Sequence, residues 1–373
     1  MSFVASGRAV ILNSRQSLYP CGADPWIGAT AWAIDDIAKK NLTLLASVGT
    51  PAWEIGLCLA GQKKLPIMLF VPATPGENEN RILSHYCAEF RLDPCYVQVF
   101  KIINGTAPVE RRLFPTARDN KIIEMADIIY PVSIRPRGNL DQILSEPPMQ
   151  NIVIDRTFAV SWQSGKINRL APPPPGKLMP GLDDALRDYI MHWTRSVHYP
   201  WPGESKRDFY DAIIHSNNIY PRSAFFTLMR ILGERRLRAS SRHLRKGVSA
   251  VSFSSLPPSQ AVALMRWRSR YREMSFEPYG IAIKKSAAER TGIKKAIYGN
   301  REMISYLTAD EKPYFQNIGT IGDWEQEREY RHLGDLDLRA FDGSDMSVIT
   351  RSPSEIDKLK TVFDGRVLAL LDE

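Results

Sequence analysis

The sequence predicts an α/β fold: a doubly wound, parallel, Rossmann-like sheet followed by a second, basic α+β domain. Three observations predict it. Over roughly the first 150 residues, short apolar runs alternate with helical patterns across short connections, as strands and crossover helices do. The run at 128–134 is too continuously apolar to face water on either side. A Pro-rich stretch at 171–181, APPPPGKLMPG, reads as polyproline II and divides this region from a basic remainder. With 373 residues, the chain exceeds one ordinary core. The expected division is a nucleotide or nucleic-acid domain at 1–165, a linker at 166–182, and a basic domain at 183–373.

In order, 9–13 reads as the first strand and 26–40 as a helix. A second strand at 42–48 stops at Gly49, where Thr50 caps and Pro51 opens a helix to about residue 61. The third strand is 65–71, followed by a helix at 79–90 and a fourth strand at 96–103. From Phe114 to Leu140 the chain reads FPTARDNKIIEMADIIYPVSIRPRGNL. That is an Arg-Asp-Asn helix start, a helix burying Ile122, Ile123 and Met125, the fifth strand, and a glycine turn with two arginines. A further strand is expected at 155–163. Helices follow at 182–195, 222–232 and 259–274, with strands at 248–254, 279–284 and 327–331.

Hydrophobic content of 44% and charged content of 24% are those of a water-soluble globular chain. The longest apolar run, 65–73, is far short of a membrane span. The opening MSFVASGRAV lacks a signal-peptide h-region. A cytoplasmic protein without a membrane partner is therefore expected. Cys21, Cys58, Cys87 and Cys95 match no zinc spacing, and no histidine pair has ligand spacing, so neither metal nor cofactor is expected. Net charge is +8, yet residues 230–295 hold 16 Lys or Arg against 4 Asp or Glu. Such a block suits nucleic acid, or else forms a solvated face offset by acids.

In a doubly wound sheet, ligands bind outside the carboxyl ends of the strands. Those ends carry Asn13, Ser14 and Arg15, the loop with Asp24, then Gly49, Thr50, Trp53 and Glu54. They also carry Asn104-Gly105-Thr106, then Arg118, Asp119 and Asn120, then Arg135, Arg137, Gly138 and Asn139. Asp127, at the opposite edge, reads as structural.

The NSR after strand one, SVGTPAWE after strand two, FPTARDNKIIEMAD and the RPRGNL turn together resemble the SLOG superfamily. Within it they are most similar to the DNA-processing proteins that load recombinase onto single strands. The resemblance covers about 140 residues and implies a Rossmann-like domain that binds nucleotide or nucleic acid. Two departures add to the crevice: Ala52-Trp53-Glu54 stands in place of Gly-Ile-Asp, and Arg137-Gly138-Asn139 in place of Ser-Gly-Ser. Other SLOG relatives hydrolyse N-glycosidic bonds with a glutamate and an arginine, which brings that chemistry into view by analogy.

Base departure creates oxocarbenium character on the sugar, which a nearby carboxylate stabilises. Glu54, with Asp24 or Asp119 as alternatives, is the expected carboxylate. Ser14, Arg15, Gly49, Thr50, Arg118, Arg135, Arg137, Gly138 and Asn139 are expected around phosphate, and Trp53 or Trp26 under an extruded base. Each has a plainer reading: Glu54 serving the helix dipole, Asp119 a cap, Trp53 core packing.

In the second domain, MRWRSRYR places Arg266 with Arg270, and Arg268 with Arg272, at i,i+4 on a helix, an arrangement that an anionic partner relieves. Arg235, Arg236 and Arg242 extend the expected DNA-binding surface. VSFSSLP, YGIAIKK and DWEQEREYR are similar to abortive-infection proteins of bacteria, which implies phage defence. Ser252-Phe253-Ser254 resembles the Ser-x-Ser of ADP-ribosyltransferases, and Glu327 with Glu329 would share a strand face, although pairing with Arg328 or Arg331 is the plainer reading. Three classes stand. The first is a hydrolase, a DNA glycosylase acting on phage DNA in antiviral defence. The second is an NAD-consuming or ADP-ribosyl-transferring effector with a nucleotide-sensing first domain. The third is a non-catalytic single-strand DNA-binding mediator.

Overall fold

The computed structural model describes residues 6–103, 108–146, 151–163, 177–242, 244–318 and 324–372, with the backbone alone at 108–114 and 324. The chain divides into two compact units, Met1–Ile167 with Tyr199–Pro221, and Asn168–His198 with Arg222–Glu373. The segment 199–221, expected in the second domain, belongs to the first. Its apolar residues Phe209, Tyr210 and Ile213 join the first unit's core. The Pro-rich residues 171–176 lie outside the described residues.

The first unit runs β1 (Arg8–Asn13), α1 (Pro25–Lys39), β2 (Thr43–Ser47), α2 (Pro51–Gln62), β3 (Ile67–Ala73), α3 (Glu79–Phe90), β4 (Val97–Ile103), α4 (Pro108–Glu124), β5 (Ile128–Ser133), α5 (Asn139–Ser145) and β6 (Val153–Ile154). The six strands are all parallel, in the order β4-β3-β2-β1-β5-β6. The apolar runs explain this: β2 is buried at every position and β5 at all but its first. Residues of α1, α2 and α3 cover one face, and residues of α4 and α5 the other. Order reverses between β1 and β5, which makes their carboxyl ends the switch point.

Thr50 caps α2 by accepting the Trp53 N–H, and Pro51 follows, as the sequence predicts. Helix α4 starts earlier than expected and contains Pro115, so Arg118-Asp119-Asn120 lies within the helix, not at its start. The strand expected at 155–163 does not form; the sheet pairing stops just before it, with β6. Beyond it, Val160 N–H still reaches Val132 O at 2.7 Å.

The second unit opens with α6 (Leu182–Ala185) and β7 (Tyr189–Trp193). The helix expected at 182–195 fails because Tyr189–Trp193 is buried against neighbouring strands on both sides. After β7 the chain visits the first unit as α7 (Lys206–Ile214) and returns as α8 (Ala224–Glu234), β8 (Arg236–Leu237), β9 (Ala250–Ser254) and α9 (Pro258–Ala263). Next come β10 (Trp267–Arg268), β11 (Glu273–Met274), β12 (Gly280–Lys284), α10 (Lys285–Arg290), β13 (Lys294–Lys295), β14 (Ile297–Gly299) and β15 (Phe315–Asn317). The chain ends with β16 (Glu329–Leu333), β17 (Leu336–Asp337), β18 (Met346–Thr350), α11 (Ile356–Lys360) and β19 (Arg366–Ala369).

A seven-stranded sheet of order β13-β16-β9-β7-β12-β18-β19 organises this unit, antiparallel except at β18–β19. The expected helix at 259–274 is instead the short α9 and a β10–β11 hairpin, where Arg268 faces Glu273. The i,i+4 arginine stacks therefore do not exist. No helix among the described residues is long and apolar enough to cross a membrane.

Candidate functional site

At the switch point the β1–β5 ladder slips by one residue after Leu12, pairing Asn13 with Ser133. Such a bulge re-aims side chains at a strand end. Ser14 N–H donates to Ser133 O at 2.8 Å, and Ser14 Oγ accepts the Arg135 N–H at 2.8 Å. The serine thus ties the two turns together. Gly138 N–H closes the second turn on Arg135 O at 3.0 Å, and an added Cβ on Gly138 would meet that oxygen at 3.1 Å. Arg137 adopts a left-handed φ of 59°, held by its N–H on Asp141 Oδ2 at 2.7 Å. Arg15, Arg135, Arg137 and Asn139 are exposed around this tied pair of turns. Asn13 turns inward, its Nδ2 3.3 Å from Thr30 Oγ1 and its buried Oδ1 without a partner among the described residues.

The end of β2 forms the neighbouring part of the edge. Gly49, at φ 96°, makes a turn that residues with a Cβ rarely adopt. Arg118 is buried: its Nη1 donates to Val48 O at 3.2 Å, and its guanidinium lies 5.3 Å from the Trp53 ring centroid. The same guanidinium grips Asp119 Oδ1 through Nε at 2.9 Å and Nη2 at 2.7 Å. Burial nonetheless pushes the Asp119 carboxyl above its ordinary range, against the pull of Arg118. Adjacent strands lie about 4.8 Å apart, so the β2 and β5 ends stand about 10 Å apart across β1.

Glu54, the expected carboxylate, is enclosed. It is 4% exposed, and its oxygens accept Gly49 N–H at 2.9 Å, Lys206 Nζ at 2.7 Å and Tyr210 OH at 2.6 Å. Two of these donors come from α7. Burial and the facing carboxylate hold the Tyr210 hydroxyl well above its usual range. Glu54 is thus a tie between the Gly49 turn, α2 and α7. Trp26 is likewise not a stacking ring: at 5% exposure it belongs to the core. Asp24 closes its own turn by accepting Cys21 N–H at 3.1 Å. Asn104-Gly105-Thr106 lies outside the described residues.

In the second unit, Glu327 ends a 3₁₀ turn and Arg328, at φ 44°, separates it from β16. Glu327 and Glu329 therefore do not share a strand. Arg331 holds Glu329 through Nε at 2.9 Å and Nη2 at 2.8 Å, and Ser252 Oγ donates to Glu329 Oε1 at 2.7 Å. Arg331 is 2% exposed, and its remaining hydrogens reach Gln316 Oε1 and the carbonyls of Pro313 and Phe315. Glu327 pairs with Arg268 at 2.5 Å; burial raises its carboxyl, and Arg268 and then Arg195 pull it back.

The register Met191–Ser254–Glu329 runs across β7, β9 and β16. Ser252, Ser254 and Glu329 share one face of β9 and β16, and two residues past the end of β7 stands Arg195. Its guanidinium lies 3.3 Å from Glu273, which is wholly buried and also 3.7 Å from Arg242. Of the expected DNA-binding arginines, Arg235, Arg236, Arg242, Arg266, Arg270 and Arg272 are exposed, while Arg268 is partly covered by its ion pair with Glu327.

Sequence reasoning missed Lys206, Tyr210, Arg195 and Trp162. The alternation YIMHWT marks β7 and so its following arginine, whereas nothing local marks the other three. Among the described residues no group of three or more His, Cys, Asp or Glu is placed to hold a metal ion. No protein-family model, curated protein or solved structure matches the chain.

Proposed function

We propose that the protein is a DNA-acting N-glycosidase whose first unit holds the substrate phosphate at the β1–β5 switch point. The observation that carries this reading is the Ser14–Arg135 tie, which fixes two turns bearing three exposed arginines at the place where open α/β sheets take ligands. Arg15, Arg135 and Arg137 take phosphate oxygens. Asp119, the candidate carboxylate whose proton affinity burial raises, donates its proton to the leaving base as the C1′–N bond breaks, and water adds to C1′ and returns a proton to the carboxylate. Glu54 supports this arrangement from behind by fixing the Gly49 turn.

The exposed arginines of the second unit add nonspecific grip on DNA. Resemblance to SLOG and abortive-infection proteins makes phage DNA the proposed target and antiviral defence the setting. The test is to incubate the full chain with host and phage DNA and to identify released bases by mass spectrometry, with abasic sites counted in parallel. A free base supports the reading, and its identity names the target; intact DNA from both sources overturns it.

A second reading, cleavage of the nicotinamide–ribose bond of NAD or transfer of its ADP-ribose, is favoured by one observation. Ser252, Ser254 and Glu329 share one face of two adjacent strands, and Arg195 follows the third, β7, which pairs beside them. Release of nicotinamide from NAD, lost in Arg195→Ala, would shift the chemistry to the second unit.

A further inference from the structure

Beyond β6 the chain does not leave the sheet. The Val160–Val132 hydrogen bond of 2.7 Å lays this segment along β5 and carries Trp162 to the switch point. There Trp162 Nε1 donates to Arg15 O at 3.2 Å, and the Arg135 guanidinium lies 5.4 Å from the ring centroid. The ring is fixed at its edge by one turn and on one face by the other. Phe158 and Val160 of this segment pack on the core, whereas Trp162 stays partly exposed beside two exposed arginines.

We infer that Trp162 is the platform on which the ligand's base stacks, so that the switch-point site takes a base-bearing phosphate rather than phosphate, pyrophosphate or a phosphosugar. The inference rests on the phosphate site proposed above and names the part of the ligand that site leaves open. Three features support it. An indole pinned by its own N–H loses little freedom when a base settles on it. Aromatic platforms beside basic groups hold nucleotides with little regard to base identity. The guanidinium lies over one face of the ring, and the inference places the base on the opposite face. Arg15 and Arg135, which contact this ring, are also the groups proposed to hold phosphate, so base and phosphate would sit within one nucleotide's length.

The test is calorimetric titration of the full chain with AMP, a short oligothymidylate, ribose 5-phosphate and pyrophosphate. Wild type, Trp162→Ala and Trp162→Phe are compared. Trp162→Ala is expected to weaken AMP and oligothymidylate about tenfold or more while leaving pyrophosphate within about twofold, and Trp162→Phe to recover most of the loss. Retained pyrophosphate binding also reports that the site is folded. Parallel weakening of pyrophosphate would show that the ring merely shapes the turn, and unchanged nucleotide binding would show that it does nothing; either overturns the inference. A wild type that binds pyrophosphate as well as AMP leaves the phosphate site standing and removes the platform. One that binds no phosphate compound removes both. With the platform upheld, tighter binding of oligothymidylate than of AMP assigns the site to a strand, and the reverse to a free nucleotide.

Discussion

Tyr210 donates its hydroxyl hydrogen to Glu54 Oε2 at 2.6 Å, across 156 residues of sequence. The hydrogen bond fastens α7, which the chain sends out from between two segments of the second unit, onto the first unit's sheet domain. Tyr210→Phe leaves a buried carboxylate short of one donor. The expected loss of unfolding free energy is about 1.5–3 kcal/mol, the range for a hydrogen bond to a charged group, read by urea denaturation. A loss within about 0.5 kcal/mol, typical of surface changes, would show the tie to be slack.

Glu54→Gln separates architecture from chemistry. With Glu54 as a tie, this variant is less stable by about 1–3 kcal/mol, yet the molecules that remain folded still release base. Complete loss of release at unchanged stability would return Glu54 to the reaction itself.

In the second unit the pair to break is Arg331 with Glu329. Removing one partner of a buried ion pair typically costs about 3–5 kcal/mol, so Arg331→Met should lower the thermal midpoint sharply. Arg331→Lys rescues little, because a point charge cannot reproduce the two-pronged grip of Nε and Nη2. Near-native stability in either variant contradicts this account.

His192 predicts a pH dependence. Its Nδ1 lies 2.8 Å from Ser252 O, and burial lowers its proton affinity below the ordinary value. The carbonyl requires Nδ1 to carry the hydrogen, and burial favours the neutral ring. In the unfolded chain the ring takes a proton as pH falls below about 6.5, whereas the folded ring resists. Stability is therefore full above that pH and is lost as pH falls towards the depressed folded value. His198, also lowered by burial, adds in the same direction. Thermal midpoints measured from pH 7.5 to pH 5 should fall, and His192→Gln should flatten the slope; an unchanged slope in that variant removes His192 as its source.

DNA affinity should depend on the exposed hairpin arginines. Arg266→Ala with Arg270→Ala is expected to reduce the slope of log affinity against log salt by about one for each phosphate that these side chains neutralise. An unchanged slope places the DNA elsewhere.

The parallel sheet was legible in the sequence because its strands are continuous apolar runs and its second helix opens with a Thr-Pro signal. Parts of the site were legible for the same reason, since strand ends locate Ser14, Arg15, Arg135 and Arg137. The stretch 265–272 misled. Its strict alternation of Met265, Trp267 and Tyr271 with arginines has period two, a strand signal, and the structure makes a hairpin. The pairing of Glu54 with α7 and the approach of Trp162 depend on the meeting of distant segments, which no local pattern encodes. Glu327-Arg328-Glu329 alternates like a strand, but the left-handed Arg328 breaks it.

The most direct test of the central claim is base release from DNA by wild type and Asp119→Asn side by side, with DNA binding measured on both. The account predicts a free base from the wild type, lost as pH rises through the elevated Asp119 value, and none from Asp119→Asn despite retained DNA binding. Equal release by the two proteins would contradict the role of Asp119, and no release by either would contradict the glycosidase itself.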